Sequence, residues 1–362
     1  MGGSPTGFDA GEVARRVRKS AEEHGFSGAV VVARAGEPVF TGAFGWASRA
    51  WQVPNTVGTR FRVGSVSKMF TAVAVLRLVE QGRVGLADRL APLLGERGAW
   101  LPPQVTVGHA LTMTAGIADW FEESGDWAAD WAALTAAHPL YLLRDNADYL
   151  PLFAGREPLF APGERHQYNG AGYILLGLLL ESLTGKAYAD AIHDQVFARA
   201  AMADSGFVAL DEVVPGVAEG HLPPEETPDG RGTGWRRNVY STTPTAAADG
   251  GATCTADDLV GFARALRAGR LLGADMTRRA LTPQVLERAE KVRGYTWKYG
   301  YGVMFLLDDD GTVVRWGHTG EEDGVSARLY HYPRLDTDVA ILGNVSGCAG
   351  ALGWDLHDAL TG

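Results

Sequence analysis

A hydroxyl and an amine three residues apart open the chemical reading of this chain. In the run Gly64-Ser65-Val66-Ser67-Lys68-Met69-Phe70, Ser65 and Lys68 have the i, i+3 spacing that sets two side chains about 5–6 Å apart on one helix face. A serine hydroxyl is a weak nucleophile until a neighbouring base takes its proton. A lysine in an apolar helix can be that base, because burial disfavours its charged form, or it can stay cationic and assist another base. Residue order leaves both open. Lysine is scarce here, five of 33 basic residues, so one inside an apolar helix needs a reason. With twelve serines and five lysines, S-x-x-K arises by chance in roughly one such chain in six, and further groups are needed to define a site.

Tyr168 is a second candidate. It ends the turn-rich segment Phe160 to Gln167, just before the apolar run Tyr173 to Leu180, and a phenol presented there can shuttle protons, although most loop tyrosines only pack or bond at a surface. A third is Gly317-His318-Thr319-Gly320, after the strand-like run Thr312 to Trp316, where polar side chains and backbone N–H groups can meet a carbonyl or carboxylate. The alternative is a strand ending in an ordinary turn. Trp120, Phe121, Trp127 and Trp131 can wall a pocket, Trp120 and Phe121 above all, or pack among helices. Other chemistries lack their residues: there is no H-E-x-x-H, no Walker loop and no complete G-x-G-x-x-G, and Gly324 to Arg328 departs from G-x-S-x-G at its last position. Nine histidines without a close cluster suggest no metal site.

The elements that must position these groups follow from periodicity and punctuation. A charged helix is expected over Asp9 to His24, then a hairpin of Ala29 to Ala33 with Val39-Phe40 around Ala35-Gly36-Glu37-Pro38. Gly64 leads into a helix that is apolar almost all round and therefore buried, with Gly82 at its expected C-terminal cap. Helical stretches interrupted by Pro and Gly follow to about Trp235, and Leu222 to Gly234 reads as an exposed loop or lid. Strand-like runs return at Gly302 to Leu307, Thr312 to Trp316, Ser326 to Tyr332 and Val339 to Leu342, before a closing helix near Leu352 to Leu360. The expectation is an α/β (α+β) fold. Residues 1–75 and 236–362 form one domain around a shared antiparallel sheet, residues 76–235 form an inserted helical domain, and the seam between them is the natural cleft.

The ordered set Ser65-x-x-Lys68, Tyr168, His318-Thr319-Gly320 resembles the serine β-lactamase and penicillin-binding-protein family, in its class C, D-alanyl-D-alanine carboxypeptidase and esterase branch. Phe61 to Ser65, Val105 to Ile117, Phe160 to Glu164, Gly250-Gly251 and Thr255 to Leu259 look like that family's connecting segments. The resemblance implies an antiparallel sheet flanked by N- and C-terminal helices with an inserted all-helical domain. It also implies acyl transfer from an ester or amide through an acyl-enzyme on Ser65, protons handled by Lys68 and Tyr168, and no cofactor. The oxyanion site carries over to the backbone N–H groups of Ser65 and Glu321, with His318 where many members have lysine. Three departures qualify it. Gly170 stands where many relatives have Asn. His318 is a weaker cation than lysine, which disfavours capture of a penicillin or D-alanine carboxylate. Glu321-Glu322-Asp323 brings negative charge where a Gly-rich stretch is common, which suits an amine-bearing substrate, or is simply a solvated acidic turn. Weak or absent β-lactamase activity is the expectation. A transacylase passing the acyl group to an amine or alcohol is one alternative, and a non-catalytic binding protein of the same fold is another.

Composition agrees with a globular enzyme. A length of 362 residues, 46% hydrophobic and 21% charged, supports about two packed units without crosslinks. The formal charge of −10 disfavours nucleic acid and anionic membrane as partners. Tyr173 to Leu180, the longest apolar stretch, falls far short of the roughly 18 residues of a membrane span. Cys254 and Cys348 are widely separated and suggest no disulfide framework. Met1 to Thr6 reads as a disordered leader, the approach to Ala33 makes a poor secretory signal, and a cytoplasmic location is expected.

Overall fold

A computed structural model describes residues 9–122, 127–225 and 234–362, with Trp127 and Ala128 described in backbone only. The predicted leader and most of the predicted 222–234 loop lie outside the described residues, as does the Trp127 side chain.

Eight strands form one antiparallel sheet: β1 (Gly28–Arg34), β2 (Glu37–Phe44), β3 (Val285–Leu286), β4 (Thr296–Tyr299), β5 (Met304–Leu307), β6 (Val313–Glu322), β7 (Val325–Tyr332) and β8 (Thr337–Gly343). Their order is β2-β1-β8-β7-β6-β5-β4-β3, so the first hairpin pairs with the last strand, Gly28 opposite Gly343 and Arg34 opposite Thr337. The central strands β1 and β8 are buried almost throughout, which is why they read as unbroken apolar runs rather than alternating ones.

Period-two geometry divides their side chains between two layers. Val30, Val32, Val339 and Ile341 face α1 (Ala10–Glu23) and α5 (Ala349–Thr361). Ala29, Val31, Ala33, Ala340 and Leu342 face the opposite layer, which contains α2 (Ser67–Glu80), α3 (Gly170–Thr184) and α4 (Ala256–Arg267). Helix α2 is buried on all sides from Ser67 to Leu78. Phe70 meets Phe197 and Phe262 edge-on there, an arrangement aromatic quadrupoles favour. Gly82, at φ +70°, follows its end, as a left-handed C-terminal residue should.

Two features differ from the expectation. Strand β6 does not stop before His318 but runs on to Glu322, because Trp316 to Glu322 all pair with β7; the turn comes at Asp323-Gly324. Strands β3 and β4 carry little burial contrast, so their periodicity gave no signal. A short antiparallel pairing, His221–Leu222 with Arg236–Arg237, lies apart from the eight-stranded sheet.

Candidate active site

Ser65 sits in a single 3-10 turn, Gly64–Val66, that feeds directly into α2. Gly64 adopts φ +49° and a Cβ there would stand 3.2 Å from the backbone of Gly320 and Glu321, so glycine is needed both for the left-handed conformation and for close approach. The turn is pinned from below: Ser67 Oγ donates to the Gly64 carbonyl at 2.7 Å and accepts from the Ala252 N–H at 2.9 Å. This fixes the nucleophile's backbone independently of any ligand.

Lys68, one turn on, is 2% exposed. Its Nζ donates to Ser65 Oγ at 2.9 Å and to the Asp249 carbonyl at 2.6 Å, and it lies 4.9 Å from the Tyr168 ring centre and 5.8 Å from that of Tyr173. Half-buried Tyr168 precedes α3. Asn169, its neighbour, turns away as that helix's N-cap, accepting from Gly172 N–H at 2.7 Å and donating to the Ile117 carbonyl at 3.1 Å. Asp119 completes the helix start by accepting from the Gly170 and Ala171 N–H groups at 2.6 and 2.8 Å, where a carboxylate also meets the positive end of the helix dipole.

Opposite Ser65 runs β6. A Cβ at Gly320 would stand 2.1 Å from the Val63 carbonyl oxygen and 3.0 Å from the Ser65 nitrogen, so the Ser65 and Glu321 amides belong to two backbones in direct contact. Thr319 and Glu321 face the cleft. His318 does not: it is 1% exposed, with Nε2 3.2 Å from the Tyr299 hydroxyl and Nδ1 2.6 Å from the Thr319 carbonyl. Burial first, then the nearby Lys68 charge, pushes its pKa down to about 3. The residue expected at the substrate is thus a neutral group behind the wall, its ring centre 6.3 Å from that of Tyr168.

Two cavities meet at Ser65 and Glu321, which line both. One, of about 310 Å³, adds Gln167, Tyr168, Glu287, Arg288, Met304 and Thr319. The other, of about 70 Å³, carries Trp120, Phe121, Trp131 and Tyr149 beside Gly170, Asp249 and Glu321 to Asp323. Trp120 contacts Tyr149 and Trp131 edge-on, with ring centres 5.2 and 6.2 Å apart. Glu321 and Glu322 are held by guanidinium groups, Glu321 by Arg328 at 2.6 Å and Glu322 by Arg62 at 3.2 Å. The acidic stretch is therefore a pair of strand-end carboxylates with fixed partners followed by one turn residue, rather than a solvated turn.

Sequence reasoning missed Asp249, Tyr149, Arg62 and Glu287. Asp249 directly precedes the Gly250-Gly251 segment, but no local pattern marks a carboxylate whose partners lie some 80 to 180 positions away, Gly170 and Lys68 among them. Among the described residues no cluster could hold a metal ion, and no helix is long and apolar enough to cross a membrane.

Residues 13–358 match the model of the family described as Beta-lactamase. The chain is 31% identical to Esterase EstB of Burkholderia gladioli over 98% of this chain and 97% of that protein. It is 27% identical to Penicillin-binding protein 4* of Bacillus subtilis (strain 168), over 86% of this chain and 66% of that protein. A solved penicillin-binding protein from Bacillus halodurans superposes with a TM-score of 0.85 at 33% identity, covering 94% of this chain and 99% of that one. The chain belongs to the β-lactamase family. It is a serine hydrolase or acyltransferase of that family, working through an acyl-enzyme.

Proposed function

We propose that Ser65 is the nucleophile that takes the acyl group from an ester or amide, with Lys68 and Tyr168 moving the proton. The observation that carries this reading is the 2.9 Å bond between the buried Lys68 Nζ and Ser65 Oγ. A proton leaving Oγ has a direct path into the Lys68–Tyr168 pair, and the Ser65 and Glu321 amides are the donors for the oxyanion as charge develops on the attacked carbonyl. The leaving group takes its proton from Tyr168, which assigns the cavity bearing Tyr168 to the leaving group and the aromatic cavity to the acyl group. Water then releases the acyl group. Short-chain esters are the first substrate class, supported by the full-length similarity to Esterase EstB. Penicillins are poor substrates, because buried, neutral His318 offers no cation for their carboxylate and Glu321 lines both cavities.

Intact-mass spectrometry after a fluorophosphonate, and separately after an activated short-chain ester, tests the assignment. One adduct on the wild type and none on Ser65→Ala, with ester turnover reduced at least ~10³-fold in the variant, is the expected result. Undiminished turnover by Ser65→Ala would sink it.

A further inference from the structure

The aromatic cavity contains a carboxyl group that the acyl-transfer chemistry does not use. Asp249 is 8% exposed and lines the cavity beside Ser65. Its backbone carbonyl holds Lys68, while its side chain turns the other way, Oδ2 accepting from the Trp120 indole N–H at 2.8 Å. That pair fills the space a side chain at 170 would occupy: a Cβ on Gly170 would stand 2.6 Å from Asp249 Oδ2 and 2.7 Å from Trp120 Nε1. The residue type at 170 and the carboxylate at 249 are thus two sides of one packing solution.

Of the four other carboxylates that line the cavity, Asp323 sits at the strand turn bonded to Ser241, and three are committed more firmly. Asp119 accepts two amides at the start of α3, and Glu321 and Glu322 each hold a guanidinium. Asp249 is bonded to a neutral indole. The nearest cation, Lys68, directs its ammonium to the Asp249 carbonyl and to Ser65, and burial raises the Asp249 pKa despite that charge. A cation that enters the cavity favours the ionised form of this carboxyl group, which only accepts hydrogen bonds, so the wall suits a charged donor. Trp120, Trp131 and Tyr149 line the cavity with it, and aromatic faces beside a carboxyl group are the combination that binds ammonium groups through cation–π and charge-assisted contacts.

We propose that Asp249 is a specificity-determining residue that receives an ammonium group carried on the acyl portion of the substrate, so that the preferred donors are aminoacyl esters or amides. This rests on the reading of Ser65 as nucleophile and of the aromatic cavity as the acyl side. Steady-state hydrolysis of the ethyl esters of phenylalanine, both enantiomers, and of 3-phenylpropanoic acid compares acyl groups differing only in the ammonium. The wild type is expected to favour one aminoacyl ester at least ~10-fold in kcat/KM, mainly through KM, and Asp249→Asn to lower that ratio at least ~10-fold. A wild-type preference for the neutral ester overturns the proposal, as does a variant that loses both esters in equal proportion. A second measurement needs no variant: benzylammonium should protect wild-type Ser65 from fluorophosphonate at concentrations at least ~10-fold lower than benzyl alcohol, and equal protection overturns the proposal. Absence of any fluorophosphonate adduct on the wild type is a different failure, since it removes the nucleophile itself.

Discussion

The floor of the cleft and its aromatic wall are built by different means. The floor is backbone against backbone: the Gly64–Val66 turn meets β6 so closely that Gly320 has no room for a Cβ and one at left-handed Gly64 would be crowded at 3.2 Å, and Lys68 reaches Ser65 from the next turn of the same segment. The wall is side chain against side chain, with Trp120, Tyr149, Gly170 and Asp249 brought together from separate loops and helix starts. A floor of this kind fixes reacting atoms to within a fraction of an ångström, which proton transfer and oxyanion stabilisation demand. A wall of this kind can change its chemistry by exchanging side chains while the floor stays in place.

The largest effects are expected in the floor. Lys68→Met replaces the donor to Ser65 Oγ and the Asp249 carbonyl with a thioether of similar length, and ester turnover should fall ~10²–10⁴-fold. Fluorophosphonate labelling should slow in parallel; near-normal labelling would mean that Tyr168 alone activates the serine. Gly320→Ala comes next. Its Cβ, 2.1 Å from the Val63 carbonyl, forces β6 and the serine turn apart, and misplacing an oxyanion donor costs ~10²–10³ in kcat. Retention of both kcat and melting temperature in this variant would refute the close approach of the two backbones.

This contrast also explains what could be read from the residues alone. The floor depends on an i, i+3 pair and on glycines that turns require, both local patterns, so Ser65, Lys68 and the Gly320 segment stood out. The sheet was legible in β1, β7 and β8 as nearly unbroken apolar runs, whereas β3 and β4 are short and half-exposed and left no trace. His318 illustrates a limit of another sort. Its position was evident, but whether its ring faces substrate or core depends on which face of β6 carries it, and that was hidden until the strand was found to continue through Glu322. Asp249 was illegible because its meaning lies in Gly170 and Trp120, distant in sequence and matched to it only in space.

Gly170→Ala sharpens the comparison from the wall side. The added methyl displaces Asp249 Oδ2 and Trp120 Nε1, and such overpacking costs ~1–3 kcal/mol of stability. Because Ser65, Lys68 and the β6 backbone are untouched, the loss should fall on KM, roughly 10-fold for ester hydrolysis, with the rate of fluorophosphonate labelling changed much less. A collapse of labelling comparable to that of Lys68→Met would show that wall and floor are one mechanical unit rather than two.

The smallest effect expected is on stability, and it separates a buried histidine behind β6 from a cavity-lining glutamate by the sign of their titrations. Behind the floor, burial holds His318 near 3, against an ordinary 6.5, so the unfolded chain binds a proton that the folded chain refuses throughout that interval. Stability from this group is therefore complete above pH 6.5 and declines as pH falls toward 3. In the cavity that bears Tyr168, burial pushes Glu287 up to about 7, from an ordinary 4.5; there the folded chain holds the extra proton, and its contribution declines as pH rises from 4.5 to 7. The slopes oppose one another between pH 4.5 and 6.5, so melting temperature of the wild type should change little there on their account. Removing one group exposes the other. For one proton the slope is at most ~1.4 kcal/mol per pH unit, roughly 2 °C in melting temperature for a chain of this length. His318→Gln, which cannot titrate, should flatten the acid limb below pH 4.5 and leave a melting temperature that falls as pH rises from 4.5 to 7, while Glu287→Gln should steepen the fall on acidification below pH 6.5. Parallel melting curves for wild type and His318→Gln across pH 3 to 7 would show instead that the histidine is protonated in the folded protein, and would return a cation to the back of the cleft.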